Sequence, residues 1–191
     1  VRSAQLLRQA LRALLRHPLR DRSWYSSMTP VIHLKDLALS EHAHGSAFEA
    51  RLAQIAAPLG ARRLGARYLE VPPGKKAWPY HSHHANDEIF VILGGRGRLR
   101  FGGQDHAVAE GDVVVCPAGG AETAHQLIAE GEAPLRYLAI SSMHEPDVMA
   151  YPDSGKLTIH AGAPPGGDKA ARRVDLSVRA DSGVDYWEGE S

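Results

Sequence analysis

His81, His83 and Glu88 fall within one short run, Tyr80-His81-Ser82-His83-His84-Ala85-Asn86-Asp87-Glu88. Residues two apart on a β-strand point to the same face, so His81 and His83 can aim two imidazoles at one point. Glu88 follows a turn-like Ala-Asn-Asp and opens the apolar run Ile89 to Leu93, which reads as a buried strand. Two neutral nitrogens and a carboxylate oxygen on adjacent strands are a ligand set for a divalent transition metal. A fourth member must come from elsewhere in the chain, and His125 is the candidate.

The elements that would position these groups are β-strands. From Met28 onward, short apolar or alternating runs are punctuated by turn residues, the pattern of an all-β barrel or sandwich. Strands are expected at 31–34, 64–71, 77–83, 88–93, 98–101, 104–109, 113–116, 123–129, 135–142 and 156–160, with 48–55 read as strand or short helix. Pro79 interrupts the histidine strand and suits an edge or a bulge. Gly102-Gly103 closes a hairpin. Pro117-Ala118-Gly119-Gly120 begins a loop that leads toward His125, and Gly162 to Gly167 reads as a linker.

Flanking glycines extend the pattern. Gly74 precedes His81 by six intervening residues, four separate His83 from Glu88, and six separate Glu88 from Gly95. This run resembles the first cupin motif, G(X)5HXH(X)3–4E(X)6G, with one extra residue in the first gap. Gly111, Pro117 and Gly119 are similar to the start of the second motif, G(X)5PXG(X)2H(X)3N. There, five residues rather than two precede His125, and Ala129 stands in place of Asn. The resemblance covers roughly residues 64 to 142 and is to small single-domain bacterial cupins, among them sugar-phosphate-isomerase-like proteins.

That resemblance implies an all-β double-stranded β-helix, or jelly-roll barrel, with N-terminal and C-terminal extensions. It implies His81, His83, Glu88 and His125 as metal ligands. Three imidazoles and one carboxylate would leave one or two positions open on a five- or six-coordinate ion, and suit Mn, Fe, Ni, Zn or Cu. The function expected is that of a metal-dependent enzyme, isomerase-like or dioxygenase-like, acting on a small polar molecule. The alternative is a non-catalytic small-molecule or sugar-binding barrel.

Other residues have ordinary structural readings beside their chemical ones. Glu122, in the loop before His125, is a candidate general acid or base if that loop folds over the pocket. Lys75 and Lys76 read as a solvated turn, with a place at the cavity mouth as the alternative. Trp78 and Tyr80 either line the cavity or pack beneath the barrel. His84 faces away from its neighbours, and His33, His42, His44, His106, His144 and His160 have no partner at metal spacing. Nothing resembles a Ser-His-Asp arrangement, and Gly94, Gly95 and Gly97 join two strands rather than cradle a phosphate.

Composition bounds the rest. The chain has 191 residues and no formal net charge, enough for one domain with arms: an extension at 1–27, a barrel at 28–160 and a C-terminal arm at 161–191. Residues 1–27 hold six Arg against one Asp, a net of +5, and the remainder holds 16 basic and 21 acidic residues, a net of −5. The folded part therefore has no basic footprint for nucleic acid. Arg8, Arg12, Arg16 and Arg20 recur beside a leucine face, as in an organellar presequence or a helix on an anionic membrane. The plainest reading instead places the start of translation at Met28. The single cysteine, Cys116, fits a reducing, cytoplasmic compartment, and its place after Val113 to Val115 marks it as a buried, inert thiol. No stretch reaches the ~20 apolar residues of a membrane span, and exposed strand edges with the C-terminal arm favour a homodimer.

Overall fold

The computed structural model describes residues 29–190. The Arg-rich segment at 1–27 lies outside them. Every ladder between the described strands is antiparallel. The strands join into an all-β jelly-roll sandwich, the fold class expected from the sequence.

Strand β10 (Leu135–Ser142) is the axis of the largest sheet. It pairs with β3 (Leu64–Val71) on one side and β5 (Glu88–Gly94) on the other. Outward from β3 lie β2 (Phe48–Gln54) and β1 (Ser40–His44), and outward from β5 lies β8 (Val113–Cys116). A second group runs β7 (Gln104–Ala109), β6 (Arg96–Phe101), β9 (His125–Glu130). A third runs β13 (Val174–Arg179), β12 (Lys156–Ala161), β11 (Asp147–Tyr151), β4 (Ser82–His83).

Period-two patterning explains what is inside. Leu69 and Val71 from β3, Phe90 and Ile92 from β5, Leu127 and Ala129 from β9, and Leu135 and Tyr137 from β10 converge in one apolar cluster. Between β5 and β6, Gly95 has φ +80°, and a Cβ there would run into the carbonyl of Pro134. Only glycine fits that crossing.

Several expectations change. Residues 31–34 form no strand; a short 3-10 turn at Leu34–Asp36 stands there, capped by His33. Within 48–55, expected as strand or short helix, Phe48–Gln54 form a strand. Residues 77–83 are not a continuous strand: only Ser82 and His83 join a ladder, and His81 makes an isolated bridge to His125. Pro79, lacking an N–H, explains why pairing stops there. Strands β1 and β11 were not anticipated. β13 pairs with β12 along its whole length, so residues 174–179 belong to a barrel sheet.

Candidate metal centre

Each carboxylate or imidazole of the site sits at an end of the core. On β5, Glu88 shares its face with Phe90 and Ile92, so it is the last inward position of that strand. On β9, His125 shares its face with Leu127 and Ala129 in the same way. His81 and His83 lie on the segment that bridges β9 to β11, fixed by reciprocal backbone bonds between His81 and His125 (2.8 and 3.2 Å) and by Gly119 N–H donating to the His83 carbonyl (2.8 Å).

The polar atoms converge closely. His81 Nε2 is 3.2 Å from His83 Nε2, and His125 Nε2 is 2.9 Å from Glu88 Oε2. His83 Nε2 lies 3.6 Å from the same carboxylate oxygen. Ligand atoms of His81, Glu88 and His125 all fall within 4.8 Å of one another.

The far side of each ring decides what the near side can be. His81 Nδ1 is 2.8 Å from the Pro79 carbonyl, His83 Nδ1 is 2.7 Å from Asp147 Oδ2, and His125 Nδ1 is 3.1 Å from the Thr123 carbonyl. All three partners only accept, so all three Nδ1 atoms carry the proton. In the neutral rings each Nε2 then presents a lone pair. Two lone pairs facing across 3.2 Å, with a carboxylate beside them, repel unless a cation lies between. Imidazoles held by outer acceptors and turned inward through Nε2 are the arrangement found around bound metals. The residues present fit a divalent ion.

Electrostatics agrees with that donor set. Burial, reinforced by the charges of His125 and His83, pushes the His81 pKa down to about 4 and keeps its ring neutral. Burial alone would raise the Glu88 carboxyl. Where the surrounding histidines carry protons in place of a metal, the bond and charge of His125 and the charges of His83 and His81 outweigh burial and hold the Glu88 pKa at about 2, so the carboxylate is ionised. Asp147 is fully buried, which raises its pKa, but the bond and charge of His83 bring it below the ordinary carboxylate value.

Comparison with known proteins places this geometry. The family model for the cupin domain matches residues 67–141, the stretch that carries most of β3, the His81–Glu88 run, His125 and most of β10. Over those residues the chain is similar to the cupin domain family. An uncharacterised protein of Methanocaldococcus jannaschii is 34% identical over 71 residues, which are 37% of this chain and 54% of that one. The chain thus spans about half the length of that curated relative. Among solved structures, a candidate sugar phosphate isomerase from Acidithiobacillus ferrooxidans superposes with a TM-score of 0.68 at 23% identity, over 82% of this chain and 96% of that chain. A cupin-superfamily sugar phosphate isomerase from Silicibacter pomeroyi gives a TM-score of 0.65 at 16% identity, over 83% and 98%. These two likenesses establish the shared fold.

The four cupin-motif residues open on a cavity of about 530 Å³. Its apolar wall includes Trp78, Phe90 and Tyr151, whose ring stacks on His81 at 5.9 Å. Trp78 therefore lines the cavity, whereas Tyr80 is buried beneath, accepting the Gly103 N–H at 2.9 Å with Arg100 against its ring. Glu122 does not reach the cavity. Its carboxylate folds back to accept the Gly120 N–H at 2.8 Å, within a 3-10 turn at Ala121–Thr123. Lys75 donates to the Ser46 carbonyl and Lys76 lies over Phe48, so neither lines the cavity.

The cupin cavity also holds residues that sequence reasoning passed over. Arg67, Lys169, Arg172, His42 and His160 line it, and Asp147 supports it from behind. Arg67 is an inward position of β3, visible only once β3 is placed beside β10. His160, Lys169 and Arg172 arrive from beyond the cupin motifs, carried by β12 and the segment after it. Asp147 follows Pro146, a dipeptide that reads as a turn until β11 is seen paired to His83.

Proposed function

We propose that this cupin is a divalent-metal-dependent enzyme acting on a small polar molecule, with isomerase chemistry at the His81, His83, Glu88 and His125 centre. One observation carries the reading: three Nδ1 atoms are committed to outer acceptors, so three Nε2 atoms and the Glu88 carboxylate turn together into one cavity. The names of the two sugar phosphate isomerase structures favour isomerase over dioxygenase chemistry.

A bound ion would supply Lewis acidity toward a substrate carbonyl and its neighbouring hydroxyl. The remaining work falls to the chain. Asp147 and the carbonyls of Pro79 and Thr123 fix ring orientation, so the ligands need no rearrangement when substrate enters. Trp78, Phe90 and Tyr151 exclude bulk water from one side of the cavity, which strengthens charge interactions inside it. No helix among the described residues is long and apolar enough to cross a membrane.

The test has two parts. Elemental analysis of purified protein should find about one divalent metal per chain, lost in a His81→Ala, His83→Ala double variant. Metal-loaded protein in deuterium oxide, incubated with aldose and ketose phosphates, should exchange the hydrogen on the carbon beside the carbonyl. Unchanged metal content in the double variant overturns the site. Tight ligand retention without exchange overturns the enzyme reading in favour of a binding barrel.

A further inference from the structure

One wall of the cavity differs in character from the metal end. Arg67, Lys169 and Arg172 all line it. Arg172 is anchored: its side chain is only 6% exposed, Nη1 donates to Asp175 Oδ2 at 2.9 Å and Nη2 to the Pro164 carbonyl at 3.4 Å. Its Nε is buried with no partner. His160, 8% exposed, donates through Nε2 to Asp175 Oδ1 at 3.1 Å, which leaves its buried Nδ1 a bare acceptor. Thus one orphaned donor and one orphaned acceptor belong to residues that line the cavity. Buried polar atoms without partners are uncommon and costly, and two among the lining residues single out this part of the cavity.

The charges say what binds. Arg172 shares Asp175, but among the described residues neither Arg67 nor Lys169 forms an ion pair. Burial lowers the Arg67 pKa, and its guanidinium rests near the Trp78 ring, 5.9 Å from the centroid. The fold makes room for it: Gly166 has φ +80°, and a Cβ at that position would lie 2.5 Å from Arg67 Nη2. Gln54 Nε2 donates to the Gly166 carbonyl at 3.4 Å, so the Gly166 turn is tied over the Arg67 side of the cavity. Two positive charges outside any ion pair, Arg67 offset only at longer range by Glu88, match a phosphate monoester, which carries about −1.5 to −2 near neutral pH, better than a single carboxylate.

We propose that Arg67, Lys169 and Arg172 form an anion subsite that holds the phosphate of a phosphorylated small substrate. The subsite names a substrate class for the cavity already described and rests on the reading of that cavity as a reaction centre. Phosphate binding itself requires neither metal nor turnover, so the two readings fail separately.

The experiment is a calorimetric titration of the full chain with inorganic phosphate, methyl phosphate and acetate. Three variants accompany it: Arg67→Met, Lys169→Ala, and the His81→Ala, His83→Ala pair. Both phosphates should bind saturably, with acetate about tenfold weaker or worse. Arg67→Met should weaken phosphate about tenfold or more, the scale of one charge-assisted hydrogen bond. Lys169→Ala should weaken it several-fold, and the histidine pair should leave it within about threefold. Lys169 is exposed, so its variant keeps the fold and keeps the test decisive should Arg67→Met lose it. Phosphate affinity unchanged in Lys169→Ala overturns the proposal. So does binding that disappears with the histidine pair, or acetate bound as tightly as phosphate.

Discussion

His83 Nδ1 donates to Asp147 Oδ2 at 2.7 Å, and the other oxygen of that carboxylate accepts the Ala85 N–H at 3.0 Å. One buried side chain thus fixes both the ring of His83 and the backbone two residues beyond it. Asp147→Asn keeps the shape but turns one acceptor into a donor, so one of the two N–H groups loses its partner. Metal affinity should fall by roughly tenfold to a hundredfold, as for other outer-shell substitutions, while circular dichroism stays native. Competition with a chromophoric chelator measures it, and affinity equal to the parent protein's would show that Asp147 does not orient the site.

Glu122 provides the opposite test. Its carboxylate caps its own turn and lies outside the cavity. Glu122→Gln should leave metal content unchanged and hydrogen exchange on aldose phosphates within about twofold. A hundredfold loss of exchange would restore Glu122 as the general acid or base that its position in the chain first proposed.

Burial, followed by the charge of Glu88, pushes the Cys116 thiol up to about 12. A raised thiol pKa leaves the protonated, unreactive form at pH 8, and the reactive thiolate gains population only as pH approaches 12. Native protein at pH 8 should therefore resist iodoacetamide for hours, while denatured protein is labelled completely. Intact-mass spectrometry reads the difference.

Gly95→Ala should destabilise the barrel. The residue sits at φ +80°, and its Cβ would meet the Pro134 carbonyl, whose backbone cannot swing aside as a side chain could. A loss of about 1–3 kcal/mol is expected, read as a lower midpoint in urea with an unchanged slope. An unaltered midpoint would mean that the β5–β6 turn relaxes freely.

The contrast between β5 and β1 shows what a sequence discloses about this fold. β5 carries its own pattern: Phe90 and Ile92 inward, Ile89 outward, so the inward position of Glu88 follows from counting by two. β1, Ser40–His44, is exposed along its whole length, and its strand character comes from pairing with β2, which no local pattern announces. The same division runs through the cavity. The four candidate ligands lie within one stretch of 45 residues, 81–125, and their spacing drew them together. Arg67, His160 and Arg172 are spread across more than a hundred residues and meet only through β12, β13 and the turn at Gly166, so their types alone gave no reason to group them.

Because Glu88 and His125 are each the last inward position of a strand whose other inward residues are core, the site inherits the register of the hydrophobic packing. A slip of one residue in β5 would turn Glu88 outward together with Phe90 and Ile92. An ion that requires all four side chains would therefore be retained only by chains whose strands had paired correctly. If the proposed ion binds, its retention would select the correctly registered barrel, and metal content would read out that fraction.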